Sequence, residues 1–275
     1  MYAIVLTFDR QIQFAQLVIE SYRALWPDYP FTFRVPYNEV YPRALIDRPE
    51  IELVHTEKDI RATMTNLLSG IEDEAFVFWA IDDRYPYWIR DTNTLEQVVA
   101  FVLHATSDIA GVKLTNHAIQ AVGDQVWMIG DERFRLQVDF PGGFYTHHFV
   151  RSGVLKKSFL EFDLPDSYSI AQFHEKLYSM SSWDDRILVP ERPLVHFGES
   201  CTRGKMTRNC LYALREYDLE VPDIDYVDRS IIYDDGGRRV SGPKRSFNWV
   251  QKGCGHSVLR RIRRSKYRIF GRSKR

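Results

Sequence analysis

The stretch Phe76-Val77-Phe78-Trp79-Ala80-Ile81-Asp82-Asp83 decides how this chain is read. Six apolar or aromatic residues in a row make a strand buried on both faces, the mark of a central strand in a parallel sheet. Two adjacent carboxylates follow where that strand ends. Open α/β sheets bind ligands beyond the carboxyl ends of their strands. Carboxylates placed there suit a hard divalent cation, and such a cation holds phosphates. The octapeptide therefore predicts a metal-diphosphate site at the edge of a sheet.

Working outward, Tyr2–Phe8 reads as a first strand. Ile12, Phe14, Ala15, Leu17, Val18, Ile19, Tyr22 and Leu25 recur at helical spacing over Gln11–Leu25, and Trp26-Pro27-Asp28 stops that helix. Phe31–Pro36 and Ile51–His55 are predicted strands. Asp59–Ile71 is a predicted helix with Met64, Leu67, Leu68 and Ile71 on one face. After the central strand come a helix over Thr92–Ala105 and strands over Ile109–Leu114 and Val126–Ile129. The order β-α-β-β-α-β-α-β in the first 115 residues predicts a largely parallel sheet with helices on both faces. The second half is less regular. It holds Pro141-Gly142-Gly143, a helix near Ile170–Ser179, the cluster Ser182-Trp183-Asp184-Asp185-Arg186 and a strand at Leu194-Val195-His196-Phe197. Asp234-Asp235-Gly236-Gly237-Arg238-Arg239 reads as a turn or linker. The expected organisation is one α/β domain over 1–235, with halves 1–115 and 116–235, followed by an extension over 236–275.

Composition fits this plan. The chain has 275 residues, 44% of them hydrophobic, which is enough for one large core. No stretch approaches the roughly 20 apolar residues of a membrane span. The opening Met1–Leu6 lacks the basic flank of a signal peptide. Three cysteines, an odd and small number, predict a reducing, cytoplasmic setting. Cys254-Gly255-His256 matches no common zinc spacing. The zero net charge conceals an asymmetry. Residues 256–275 carry nine Lys or Arg and no acid, leaving 28 basic against 37 acidic residues in the remainder, a charge of −9. That acidic body argues against nucleic acid as a partner.

The features after the strands fall into an order. Thr7-Phe8-Asp9-Arg10 follows the first strand, Asp82-Asp83 the buried one, then come Gly142-Gly143, Trp183-Asp184-Asp185 and His196. In this order the chain resembles the glycosyltransferases of the GT-A fold over roughly residues 2–215. That family has a nucleotide-binding first half, an acidic metal motif, a glycine-rich loop, an acidic base motif and a C-terminal histidine. The resemblance implies a Rossmann-like fold and a hexosyltransferase working in glycan or polysaccharide synthesis. It implies a nucleoside diphosphate sugar donor, a UDP-sugar by expectation, and Mn²⁺ or Mg²⁺ as cofactor. This sequence has Ile-Asp-Asp where the strict motif has Asp-X-Asp, as many inverting members do.

The resemblance also implies roles. Asp83 would ligate the metal, and Asp82 would reach the ribose or a metal-bound water. Asp185 would take the acceptor proton, Asp184 would bind acceptor hydroxyls, and Trp183 would stack on a sugar face. Gly142 and Gly143 would let backbone approach the acceptor. His196 would be a further metal ligand. Thr7, Phe8, Asp9, Arg10 and Arg61 would contact base and ribose, and Arg203 and Lys205 would clasp the diphosphate. Each position also has a plain structural reading. Asp82-Asp83 can turn the chain before Pro86, Asp184 and Asp185 can start a helix, His196 can be a hydrogen-bonded core residue, and Arg203 and Lys205 can be a solvated loop. His147-His148 as neighbours on a strand would point to opposite faces and share no metal.

In the extension, Val258, Leu259, Ile262, Ile269 and Phe270 can share one side of a basic helix. Such a helix suits an anionic membrane surface, which implies a peripheral location on the inner membrane face and a glycan or lipid-linked acceptor. Two other readings remain. One is a sugar nucleotidyltransferase, although the Gly-rich phosphate loop it needs after the first strand is missing. The other is a non-catalytic, membrane-associated binding module derived from a transferase.

Overall fold

The computed structural model describes residues 1–106, 108–116, 122–137, 144, 146–161, 172, 186–202, 204–227, 231–233 and 239–241. Its strands begin with β1 (Tyr2–Leu6), β2 (Thr32–Tyr37), β3 (Ile51–His55), β4 (Phe76–Ile81), β5 (Arg84–Ile89) and β6 (Gly111–Lys113). They continue with β7 (Val122–Ile129), β8 (Glu132–Gln137), β9 (His148–Arg151), β10 (Ile187–Pro190) and β11 (Val195–Glu199). All of these except β5 and β11 form one nine-stranded sheet in the order β3-β2-β1-β4-β9-β6-β10-β8-β7. Only β8 and β9 in it run against the others, so the sheet is mostly parallel.

Period-two alternation sorts the strand residues between two cores. Ala3 and Val5 of β1 and Phe76, Phe78 and Ala80 of β4 face one side. Ile4 of β1 and Val77 and Trp79 of β4 face the other. The first core is covered by α1 (Ile12–Leu25), α3 (Thr92–His104) and α5 (Arg208–Glu216), and the second by α2 (Ile60–Leu68) and α4 (Ser152–Leu160). Both faces of β4 are thus buried, as its unbroken apolar run requires. Side chains start three of the helices by accepting backbone N–H bonds: Asp59 from Ala62 in α2, Asp91 from Asn93 and Thr94 in α3, and Thr207 from Cys210 in α5.

Strand β5 was not visible as a strand in the sequence, because Pro86 interrupts it. It pairs antiparallel with β11 in a separate ribbon, and the register slips between His196 and Phe197, opposite Pro86, which has no N–H to give. The ribbon is tight. A Cβ on Gly198 would come within 2.4 Å of the Tyr85 ring. The second half is also more regular than its sequence suggested, supplying β8, β9, β10, α4 and α5. Short strands complete it: β12 (Cys201–Thr202), β13 (Lys205–Thr207), β14 (Tyr226–Val227), β15 (Ile231–Tyr233) and β16 (Arg239–Ser241). The expected helix near 170–179 and the basic segment 256–275 lie outside the described residues, as does most of the turn at 234–239. None of the described helices is long and apolar enough to cross a membrane.

The amino edge of the sheet is tied by cations. Arg151, at the end of β9, donates from Nε to the Ile109 carbonyl (2.8 Å), from Nη1 to the Glu74 carbonyl (2.5 Å) and carboxylate (2.9 Å), and from Nη2 to the carbonyls of Ala105 (3.2 Å) and Thr106 (2.8 Å). Lys156 on α4 donates to the Ile71 carbonyl (2.6 Å) and to Asp73 (2.5 Å).

Candidate active site at the carboxyl edge

At the opposite edge, β1 and β4 deliver their last residues side by side. The Asp82 N–H donates to the Leu6 carbonyl (3.3 Å), extending the β1–β4 ladder by one rung. The Thr7 hydroxyl donates to Asp82 Oδ2 at 2.6 Å. Asp82 is only 6% exposed. Asp83 is reached from the far end of the chain. The Ser200 N–H donates to its carbonyl (2.8 Å), and the Cys201 N–H to its Oδ1 (3.2 Å). Arg84 and Glu199, opposite each other in the ribbon, stand 3.7 Å apart beside it.

These carboxylates are poorly compensated. Burial pushes Asp82 up to about 8; the Thr7 hydrogen bond pulls it down, and the charge of Asp83 pushes it further up. Burial likewise raises Asp83 to about 6, against the pull of Arg84 and the Cys201 N–H and with a push from Glu199. Burial and the neighbouring acids raise the Cys201 thiol to about 12, so it is no nucleophile. Two desolvated carboxylates side by side form an all-oxygen donor set that suits a hard cation such as Mg²⁺ or Mn²⁺, whose remaining positions go to water or phosphate. Among the described residues no three His, Cys, Asp or Glu side chains cluster as a complete metal cage.

The sequence-derived candidates distribute unevenly around this centre. Thr7 is there, but as the clamp on Asp82. His196 is not brought to Asp83. It pairs with Trp88 in the ribbon, five residues along β5 from Asp83 or roughly 16 Å at strand rise, and lies against the rings of Tyr87 and Trp88. Asp9 accepts from the N–H groups of Asn38, Glu39 and Val40 at 2.8–2.9 Å, fixing the loop after β2. Arg61 stands in the first turn of α2, at the same edge of the sheet. Lys205 is 3.6 Å from Asp225. His147 and His148 turn to opposite faces: His147 meets Tyr22 and the Ile81 carbonyl, while His148 meets the ring of Phe144.

Gly142, Gly143, Trp183, Asp184, Asp185 and Arg203 lie outside the described residues. Arg186, next after Asp185, is at the amino edge. Its carbonyl accepts from the Ala110 N–H (2.8 Å) and its guanidinium pairs with Asp108 (3.1 Å).

A cavity of about 570 Å³ lies against the segment that follows β1. Phe8, Asp9 and Arg10, with Gln11 and Gln13, form one wall. Glu220, Pro222, Asp223 and Ile224 form the other, and Gly204 closes an end. Three of the nucleotide candidates therefore share a cavity. The 220–224 segment was missed, because an irregular stretch after a helix has no periodicity to mark it.

Neither a protein-family model nor a curated protein matches the sequence. Several solved structures match the chain. An active-site mutant of LgtC matches over 78% of this chain and 78% of its own, at 11% identity and a TM-score of 0.36. Another structure shows the galactosyltransferase LgtC with donor and acceptor sugar analogues. The 1–349 portion of TarS from S. aureus matches over 68% of this chain and 57% of its own, at 18% identity and a TM-score of 0.41. The glycosyltransferase GlyE from Streptococcus pneumoniae TIGR4, in its apo form, matches over 65% of this chain and 42% of its own, at 7% identity and a TM-score of 0.38. In structure, then, the chain is similar to LgtC, TarS and GlyE, and it spans less than two thirds of the last two.

Proposed function

We propose that this chain is a glycosyltransferase whose nucleoside diphosphate sugar donor is held, through a divalent cation, at Asp82 and Asp83. One observation carries the reading: two consecutive desolvated carboxylates stand at the carboxyl end of the central strand, clamped by Thr7 and by the Cys201 N–H. When bound, the cation would neutralise charge on the diphosphate as the bond to the sugar breaks. The protein's part is to hold both acids in place before the donor arrives, so no reorganisation is needed during reaction. Thr7 fixes Asp82 from β1, and the β11–β12 junction fixes Asp83.

A UDP-sugar donor, Mn²⁺ or Mg²⁺, inversion and a place in polysaccharide synthesis are the finer terms of the proposal, and they rest on the sequence resemblance. So does a peripheral membrane location through 256–275. Asp185 as the proton acceptor has the same support only. With Arg186 at the amino edge, the functional reading rests on the donor half of the site.

The test is thermal denaturation with UDP, GDP, CMP and dTDP, each with and without Mn²⁺, on wild type and Asp83→Ala. A ligand that binds only the folded state raises the melting temperature by mass action. The expected result is stabilisation by a nucleotide only when Mn²⁺ is present, abolished in the variant. No shift with any nucleotide would overturn the reading.

A further inference from the structure

The large sheet ends in two edge strands, β3 and β7, and they are finished differently. β3 carries Glu52 in its middle, paired with Arg34 of the next strand at 3.1 Å, and is entered through Pro49 and the Arg48–Glu50 pair. Charges and prolines on an edge keep a sheet from adding further strands. β7 has neither over Gln125-Val126-Trp127-Met128-Ile129. Instead it shows apolar side chains to solvent, with Val126 39% and Met128 57% exposed. Among the described residues no strand pairs with its outer side.

The side chains of β7 alternate. Trp127 and Ile129 pack on the first core, so Val126 and Met128 face the other way. The main chain alternates as well. β7 and β8 are joined by the two-residue turn Gly130-Asp131, where Gly130 takes a left-handed φ of 57°. Such a turn makes Ile129–Glu132 a hydrogen-bonded pair, and the next one is Trp127–Phe134. The pairs between them, Met128–Arg133 and Val126–Arg135, turn their N–H and C=O groups away from each other. The Arg133 carbonyl bears this out, because it accepts from the Glu191 N–H (2.9 Å) just past the end of β10. Val126 and Met128 therefore present both their side chains and their main-chain hydrogen-bonding groups to the outside.

These two positions complement each other. Place a second copy of β7 antiparallel to the first, with a twofold axis at Trp127. Val126 then faces the second copy's Met128, and Met128 faces the second copy's Val126. Each such pair has outward-pointing groups and can exchange both N–H···O bonds. Each exposed apolar side chain gains an apolar neighbour across the strands. No charge lies within 125–130 to meet its own image. A surface that matches itself is what a twofold contact requires.

We infer that β7 is the interface between two copies of this chain, which join their sheets through antiparallel pairing over 125–129. The irregularity between Val122 and Val126 confines the pairing to that segment. One short strand per partner offers less than the roughly 800 Å² a side of a standard interface. The dimer is accordingly reversible, with a dissociation constant in the micromolar range.

The test is sedimentation equilibrium of the full chain across micromolar concentrations. Wild type should pass reversibly from monomer to dimer. Val126→Lys with Met128→Lys should weaken the dimer at least tenfold without changing the circular dichroism spectrum, since both side chains are exposed. Register is read separately, by oxidising Val126→Cys with Met128→Cys using copper–phenanthroline. A crosslink between position 126 of one copy and 128 of the other should form in the double variant and not in either single one. A wild type that stays monomeric, a lysine variant that associates as wild type does, or a dimer without the 126–128 crosslink would overturn the inference.

Discussion

Arg151 at the amino edge of the sheet and Asp82 at its carboxyl edge are both charged groups taken out of water, and they are served differently. A guanidinium has five N–H donors, and for Arg151 all five meet carbonyl or carboxylate oxygens. Asp82 accepts from the Thr7 hydroxyl and from its own and the Asp83 backbone N–H, yet burial and the second acid beside it outweigh them. A buried charge costs several kcal/mol unless hydrogen bonds or a counter-charge replace the lost water. The amino edge is therefore a finished joint. At the carboxyl edge burial instead leaves two adjacent carboxyl groups raised above their ordinary values, a perturbation that marks candidate binding sites.

The comparison can be broken most sharply at Arg151. Arg151→Met leaves several buried carbonyls without donors and should cost about 4 kcal/mol, read as a lower urea midpoint at unchanged slope. A loss under about 1 kcal/mol, the size of an ordinary surface change, would mean the joint holds little.

A second test uses His147, which is buried at the carboxyl edge against the Ile81 carbonyl and must stay neutral. Burial is the main cause that brings it down to about 3, with Arg84 also disfavouring its cation and the Ile81 carbonyl favouring it. The unfolded chain takes up a proton near pH 6.5 while the folded one does not. The stability His147 contributes is therefore complete above pH 6.5 and is lost as pH falls toward 3. At pH 5 that loss is about 2 kcal/mol. Asp82 and Asp83 titrate in the opposite sense, so the informative quantity is the difference between wild type and His147→Gln across pH 4 to 7.5. The variant should show the flatter acid limb, and parallel curves would contradict this.

The carboxyl edge makes the reverse prediction. The folded pKa of Asp82 lies above its unfolded value, so the metal-free protein should lose stability as pH rises from about 4 to about 8. Asp82→Asn removes that penalty and should stabilise the metal-free protein at pH 8, by up to about 5 kcal/mol, while erasing any stabilisation by Mn²⁺. A destabilised variant would place Asp82 with Arg151 among the structural charges.

Asp9 sharpens the contrast, because it sits at the functional edge and is served like Arg151. Burial pushes it up, yet its three backbone N–H donors leave it below the ordinary carboxylate range. Its stability contribution is present above pH 4 and lost on acidification. Asp9→Ala should cost about 1 kcal/mol near neutrality, with faster hydrogen exchange confined to 38–40. Unchanged exchange there would return Asp9 to the ligand.

What the sequence made legible follows the same division. Strand β4 was readable because six apolar residues need burial on both faces, and Asp82-Asp83 because they follow it directly. Helices α1 to α3 were readable from their apolar period. Strand β5 was hidden by Pro86, and with it the ribbon that fixes Asp83. His196 is the same failure seen from the other side: its spacing from Asp185 carries no information about register, and the slip opposite Pro86 sets its place. Asp9 looked like a ligand because of where it stands after β1. Only the fold shows that the 38–40 backbone already occupies it.

The clamp on Asp83 has a consequence in time. The amide that holds its carboxylate belongs to Cys201, 118 residues later in the chain. During synthesis the first strands can pair and α1 can dock long before that amide exists. A ribosome-bound chain ending short of Val195 would therefore present Asp82 and Asp83 without the β11–β12 junction that steadies one of them. The steadying of Asp83 therefore waits for residue 201, so the first strands can take shape well before the acid pair is fixed.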